Sequence, residues 1–492
     1  MDGVEPEWSE HRFFGAINMI IWIGIVLIPI VLKKMIPSFF SKIISTATGI
    51  ILFLELLATA SMVFSAGQNV WSRSETYFAD GSKQFQLSKE KNVIVFIFDT
   101  LGSEYVKKCF DVYPEAKEIV KDFLWYVDAR ANYTVTFPGL SHELTGSYLP
   151  APANSYYDLF DKMWNSNAAK SFYKQLSDAG YDARLYCKAN RFLIGPEDYY
   201  HEYFSNIEAK EITYDIDYDR IRFCLKQMSG FSFAPYFVKK YFFYAFDFAD
   251  GVVQEQIAGV SSDKMWIPKN NHDFLKKMIS SSITTDATKP VLSFFYTTGV
   301  HSPWQFDEKC NKVENPFDNP APTTRGCFYI LSEFIRLLKE AKIYDNTAIL
   351  ICSDHGGNDA LGGKGKYDLS FIIKPFHTNK SELSIDEAKV QSIDILPTLL
   401  EMTCGSDADF KGFEGYTPSN VPSDRIRKVY KLSKIKDMPS PDPDLDKCYP
   451  GTNAVEEYNF FDLESFKSAS KSQSFVRQIP LVNKNQEDNN PK

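Results

Sequence analysis

Two apolar runs near the N-terminus constrain this 492-residue chain more than any other feature. Phe13 to Leu32 gives about 20 predominantly apolar residues, the length a helix needs to cross hydrocarbon. A second run extends from about Ile44 to Ala66. The loop between them, KKMIPSFFSK, carries Lys33, Lys34 and Lys42, whereas the N-terminal flank, DGVEPEWSEH, is acidic. The positive-inside bias places that loop in the cytoplasm, so everything after about residue 67 is expected on the other side. A cleaved signal peptide fits poorly, because no basic segment precedes the first run and a second run follows it. Glu55, inside the second run, reads as a protonated carboxyl facing the neighbouring helix.

The net charge of −9, without a basic stripe, excludes the electrostatic footprint of a nucleic-acid binder. None of the eight cysteines forms a CxxC pair, which argues against a zinc ribbon or a thioredoxin-type site. Cys310 and Cys327 flank a Pro/Asn-rich loop and are either a disulfide or two unrelated thiols. Cys352, in an apolar run, reads as a small core residue.

Beyond the apolar runs the pattern changes to alternation of strands and helices. NVIVFIFD (92–99), VLSFFYT (291–297), AILICS (348–353) and LSFIIK (369–374) are short apolar runs of the kind buried parallel strands show. SFYKQLSDAG (171–180) reads as a helix stopped by Gly180, with YDARLYC a strand after it. FYILSEFIRLLKEA (328–341) and SIDILPTLLEM (392–402) have helical spacing. The fold class expected is α/β, a mainly parallel central sheet sandwiched by helices and preceded by two transmembrane helices. The organisation expected is a membrane anchor at 1–66, a juxtamembrane linker at 67–90, a catalytic domain at 91–425, a small C-terminal subdomain at 426–481 and a disordered tail at 482–492. Within the subdomain, RKVYKL and EEYNFFDL are expected to pair as a small sheet. The aromatic-rich region 200–285 reads as a cap over the site.

Ligands in open α/β sheets bind beyond the carboxyl ends of the strands. Asp99 closes the first strand, Asp354 and His355 close AILICSDHGG, and His301 follows VLSFFYTTGV. Two carboxylates and an imidazole there would suit a divalent ion such as zinc, manganese or magnesium. A lone Asp after a strand is more often a helix N-cap, and a lone His is as often a core residue. The adjacent Asp and His followed by two glycines are more specific, since a tight turn would present both side chains.

ANYTVTFPGLSHELTGSYLP (131–150) adds the fourth element. Thr136-Phe137-Pro138 followed by Leu144-Thr145-Gly146 resembles the sulfatase signature, with Thr136 at the nucleophile position. The order Asp99, Thr136, His301-Ser302-Pro303, Ser353-Asp354-His355-Gly356, GGKGKYD and SIDILPTLLE resembles the alkaline phosphatase/sulfatase superfamily over roughly residues 91–405. Thr136 cannot become formylglycine, Thr100 stands where sulfatases carry a second acid, and Leu140 replaces an Arg. The pattern therefore looks more like the lipoteichoic acid synthase and phosphoethanolamine transferase branch.

That resemblance implies a divalent metal ion (manganese, zinc, magnesium or calcium) held by Asp99, Thr136, Asp354 and His355, with Thr136 as nucleophile. It implies that His301 contacts the phosphoryl oxygens or the leaving group and that Lys364 or Lys366 clamps the same charge. His142 lies near Thr136, and packing behind the nucleophile helix is its favoured role. The expected activity is transfer of a phosphoglycerol- or phosphoethanolamine-type headgroup from a phospholipid donor to an envelope glycan or lipid acceptor at the membrane. The alternatives are a phosphodiesterase or atypical sulfatase-like hydrolase, and a non-catalytic glycan-binding protein.

Overall fold

The computed structural model describes residues 8, 12–65, 75–149, 156–188, 191–243, 253–257, 264, 266–357, 365–436 and 454–462. Residues 67–74 of the 67–90 linker, the tail from 482 and Lys364 lie outside them. The chain divides into two compact units, 1–76 with 209–260, and 77–208 with 261–492.

In the first unit the apolar runs form two helices, α1 (Arg12–Met35) and α2 (Pro37–Ser65). Both are long and apolar enough to cross a membrane, and almost none of their described surface is buried by protein. Long apolar helices left uncovered are what a bilayer, and not water, tolerates. The same unit contains helices Tyr218–Phe233 and Tyr236–Lys239.

The second unit is built on a seven-stranded sheet. Its strands are β1 (Asn92–Phe98), β2 (Leu124–Tyr126), β3 (Asp182–Tyr186), β4 (Val291–Thr297), β5 (Thr347–Cys352), β6 (Phe371–Lys374) and β7 (Ser384–Asp386). The spatial order is β7-β2-β6-β5-β1-β4-β3. Strands β5, β1, β4 and β3 are parallel, whereas β6 runs antiparallel to both β5 and β2. The sheet is thus mainly parallel, as the uninterrupted apolar runs imply. LSFIIK does form a strand, but an antiparallel one, and the short β2 and β7 carry too little apolar pattern to be read locally.

Burial on both faces explains why β1 alternates nothing. Val93, Val95 and Ile97 enter one core, and Ile94, Phe96 and Phe98 enter the other. Helices α3 (Ser103–Val112), α4 (Thr136–Thr145), α5 (Asn167–Asp178), α6 (Asn271–Ser281), α7 (Ala321–Glu340) and α8 (Ile395–Cys404) cover the two faces. Helix α7 begins seven residues before its periodic run, because Pro322 suits a first helical turn whose N–H groups have no internal partner. Lys428–Lys436 pairs antiparallel with Ala454–Asp462, the small sheet expected near the C-terminus. Cys310 and Cys327 are both buried free thiols.

Candidate active site

The parallel register aligns the carboxyl ends of three strands. Cys352 pairs with Ile97, and Phe98 pairs with Thr297. Asp99 follows β1, Asp354 and His355 follow β5, and His301 follows β4, so all emerge at one edge of the sheet. The ligand atoms of Asp99, Asp354 and His355 lie within 4.8 Å of one another, and all three residues are buried. His355 Nε2 stands 3.7 Å from Asp99 Oδ1 and 3.6 Å from Asp354 Oδ2. Thr136 Oγ1 stands 3.3 Å from the same nitrogen. His355 Nδ1 lies 2.8 Å from the Gly356 carbonyl. A carbonyl only accepts, so that contact puts a proton on Nδ1 and leaves Nε2 as the ring nitrogen facing the three oxygens.

Each carboxylate is half satisfied. Tyr296 donates its hydroxyl to Asp99 Oδ2 at 2.8 Å. Asp354 Oδ1 accepts from the N–H groups of Thr100 and His355, at 3.2 and 3.0 Å. Asp99 Oδ1 and Asp354 Oδ2 are buried and have no hydrogen-bond partner among the described residues. Burial, and then the charge of Asp354, hold the Asp99 carboxyl well above the usual carboxylate range, while the Tyr296 hydrogen bond pulls the other way. Two orphaned carboxylate oxygens beside an imidazole nitrogen are costly in protein alone. Donors about 2.1 Å from a shared tetrahedral ion stand about 3.4 Å apart, close to the spacings here. The donor set therefore fits a divalent cation, with Thr136 Oγ1 in reach as a further oxygen ligand.

Local sequence explains how Thr136 arrives there. Thr136 begins α4, and Phe137 interrupts the helical backbone immediately after it (φ −96°, ψ 125°). The hydroxyl therefore sits on a bend at the helix start. Gly139 lets α4 approach the strand-end loop, since a Cβ there would come within 2.9 Å of the Asp354 carbonyl. Gly146 closes α4 in the left-handed conformation (φ 61°), which costs glycine little. Thr100 takes φ 58°, turning its N–H toward Asp354. Its backbone thus serves the site at the position where the sequence departs from the second acid of the sulfatase pattern.

The remaining candidates stand further out. His301 is exposed, its Nδ1 2.6 Å from the Ser302 carbonyl. No recorded hydrogen bond or ion pair joins its side chain to the cluster among the described residues. Val300 beside it donates its N–H to the Asp99 carbonyl at 2.8 Å, which holds the loop against the site. Lys366 is half-buried, and its carbonyl accepts from Gly356 N–H at 3.1 Å.

Two residues at the site escaped the sequence reading. Tyr296 looks like one more core aromatic in VLSFFYT, and only its pairing with Ile97 reveals that it flanks the Asp99 strand. Glu143 is buried in α4, with neither carboxylate oxygen hydrogen-bonded among the described residues. Burial, then the charges of Asp354 and Asp99, hold it well above the usual range. Glu143 is the one carboxylic acid in the helix TFPGLSHELT, and that was the available signal.

His142, within α4, is fully buried, with Nδ1 2.9 Å from the Ser147 carbonyl and Nε2 3.2 Å from Asn132 Oδ1. Burial pushes its pKa down to about 4. The folded protein thus resists a proton that the unfolded chain accepts near pH 6.5. Stability should fall as pH drops from about 6.5 to about 4, by up to about 3 kcal/mol from this residue. Denaturant titrations of wild type and His142→Gln across that window check this, and equal pH slopes would rule it out.

Comparison with known proteins places these residues in context. The sequence profile described as Sulfatase matches residues 91–406. Among solved structures, the chain is similar to a protein in the alkaline phosphatase superfamily from Vibrio parahaemolyticus, at 15% identity over 72% of this chain and 75% of that one, with TM-score 0.42. It is similar to the phosphonate monoester hydrolase SpPMH from Silicibacter pomeroyi, at 15% identity over 76% and 89%, with TM-score 0.39. It is similar to the PsFucS1 sulfatase from Pseudoalteromonas sp., at 14% identity over 77% and 85%, with TM-score 0.37. No curated protein matches the chain.

Proposed function

The chain belongs to the Sulfatase family, and from that premise we propose that it transfers a phosphoryl-linked headgroup from a phospholipid to an envelope glycan or lipid through a covalent phospho-threonine at Thr136. The observation that carries the reading is the Thr136 hydroxyl, 3.3 Å from His355 Nε2, at a cluster with two orphaned carboxylate oxygens. A threonine in that place supplies an alkoxide and cannot supply the formylglycine of a sulfate-ester hydrolase. Two membrane-length helices support a donor drawn from the lipid surface, with the two spans returning the chain to the extracytoplasmic side.

A divalent ion held by Asp99, Thr136, Asp354 and His355 would lower the pKa of the hydroxyl and neutralise phosphoryl charge. Thr136 Oγ1 forms a bond to phosphorus, and the phosphorus–oxygen bond to diacylglycerol breaks. The proton given up by the Thr136 hydroxyl is balanced by the one the diacylglycerol oxygen takes as it leaves. An acceptor hydroxyl then attacks the phospho-threonine, and the bond to Oγ1 breaks, restoring Thr136 with a proton. The Nδ1 hydrogen bond to Gly356 keeps the His355 ring oriented throughout, and Tyr296 does the same for Asp99. By the family resemblance, His301 and either Lys364 or Lys366 are proposed to meet the headgroup.

Water in place of the acceptor would make the same protein a phosphodiesterase-type hydrolase. The hydrolases among the similar structures motivate that second reading. Mass spectrometry separates the possibilities. After incubation with phosphatidylglycerol or phosphatidylethanolamine, the Thr136 peptide should gain a glycerophosphoryl or phosphoethanolamine mass. Accumulation of free glycerophosphate or phosphoethanolamine without acceptor would favour the hydrolase. Turnover with no adduct on Thr136 under any quench would remove the covalent route.

A further inference from the structure

We propose that residues 218–242 form a second membrane-contacting element, lying in the bilayer interface beside the N-terminal end of α1, with the headgroup region of a lipid leaflet as its partner. The proposal rests on reading α1 and α2 as membrane spans, and does not depend on which reaction the protein catalyses.

The segment is packed against α1 itself. Tyr236 donates its N–H to Asn18 Oδ1 at 2.9 Å, and its hydroxyl to the Trp8 carbonyl at 2.8 Å. Its ring lies on Gly15, the residue of α1 that is buried, where any Cβ would overlap the ring. Trp8 stands edge-on to Tyr236 and to Phe231, with ring centroids 5.9 and 6.2 Å apart. Asn18 lies within the first two turns of α1, where a span enters hydrocarbon. An amide there needs a polar partner, because lipid offers none. The Tyr236 N–H meets that need.

The outward side of the same segment is apolar and uncovered. Phe233 is 72% exposed, Phe237 49% and Tyr241 70%. Phe237 and Tyr241 are four residues apart, so a helical turn puts them on one face. In the 77–208 and 261–492 unit the exposed large apolar side chains, among them Val112, Ile279, Ile385 and the pair Phe410 and Tyr416, are sparser along the described chain. A cluster of large aromatic side chains is what water-facing surfaces avoid. Cations accompany it. Lys239 Nζ lies 5.7 Å from the Phe231 ring centroid, and Lys240 Nζ lies 5.0 Å from that of Tyr241. Aromatic bodies with cationic tips suit the depth where acyl chains meet headgroups.

Length and charge exclude a third span. Tyr218–Phe233 has 16 residues, about 24 Å of helix, and includes Asp219, Arg220, Arg222 and Lys226. Such a helix lies in the plane of the interface. A bilayer is favoured over a protein partner by continuity. Phe13 and Phe14 of α1, near the docked Tyr236, are themselves 74% and 69% exposed, so a leaflet that takes α1 meets this face too. The chain leaves the sheet after β3 and re-enters it before β4. The sheet-forming part of the chain is thus anchored from its middle as well as from its N-terminus.

The full chain in nanodiscs of phosphatidylcholine and phosphatidylglycerol, doped with a photoreactive phosphatidylcholine, tests this. Irradiation and peptide mapping should place lipid adducts on 218–242 as well as on α1 and α2. A chain carrying Phe233→Ser, Phe237→Ser and Tyr241→Ser together should lose the adducts on this segment and keep those on α1. Labelled α1 and α2 with an unlabelled 218–242 in wild type would overturn the proposal. No adducts on α1 or α2 either would overturn the membrane reading beneath it.

Discussion

Thr136→Ala is expected to lower kcat by on the order of 10⁴-fold or more, the scale seen when a nucleophile is removed from a cooperating group. The hydroxyl is the atom that bonds to phosphorus, and no other described hydroxyl or thiol is recorded in contact with His355 Nε2 at this cluster. Thr136 is only half-buried, and its side chain contributes one recorded hydrogen bond. Its loss should therefore cost about 1 kcal/mol of stability or less. Thermal unfolding of the variant should be close to wild type while turnover of a phospholipid donor disappears. Thr136→Ser keeps an oxygen at the same bend and should recover part of the rate. Near-normal turnover in the alanine variant would eliminate the covalent mechanism. A large fall in melting temperature would mean that the lost rate reports unfolding and not chemistry.

Metal removal should produce the second large effect, and it can be read without activity. Asp99 Oδ1 and Asp354 Oδ2 face His355 Nε2 and have no hydrogen-bond partner among the described residues. An ion that binds only the folded state stabilises it by about 2.7 kcal/mol at a hundred times its dissociation constant. Chelation should lower the melting temperature and abolish turnover, and one of manganese, zinc, magnesium or calcium should restore both. Asp354→Asn makes the test specific. An Asn oxygen can still accept from Thr100 and His355 N–H, so the turn survives, but the second donor atom to the ion is replaced by an amide nitrogen. The variant should fold and should lose the ion-induced rise in melting temperature. An equal rise in wild type and Asp354→Asn would place the ion elsewhere, and full activity of metal-free wild type would dismiss the shell altogether.

Local patterns in the chain carried a good part of this description. Uninterrupted apolar runs at 92–98, 291–297 and 347–352 are strands buried on both faces, since alternate residues of β1 enter two different cores. Runs of membrane length near the N-terminus became two uncovered helices, because their hydrophobicity is a property of the segment itself. Pro138, Gly139 and Gly146 marked a helix start, a close approach and a helix stop by their own backbone chemistry. The order of motifs likewise pointed to the family.

What only the tertiary structure decided is which atoms meet. Asp99 and Asp354 are far apart in sequence and converge because β1 and β5 pair in parallel with aligned carboxyl ends, and Thr136 joins them because Gly139 lets α4 approach the Asp354 backbone. Tyr296 joins Asp99 through that same register, and Glu143 is buried by packing that no helical period announces. The antiparallel β6 and the brief β2 and β7 depend on pairing partners, not on their own composition. Strand propensity and helix period are set by neighbours along the chain. Register, burial of a charge and the sharing of an ion are set by neighbours in space, so they emerge only once the chain has folded.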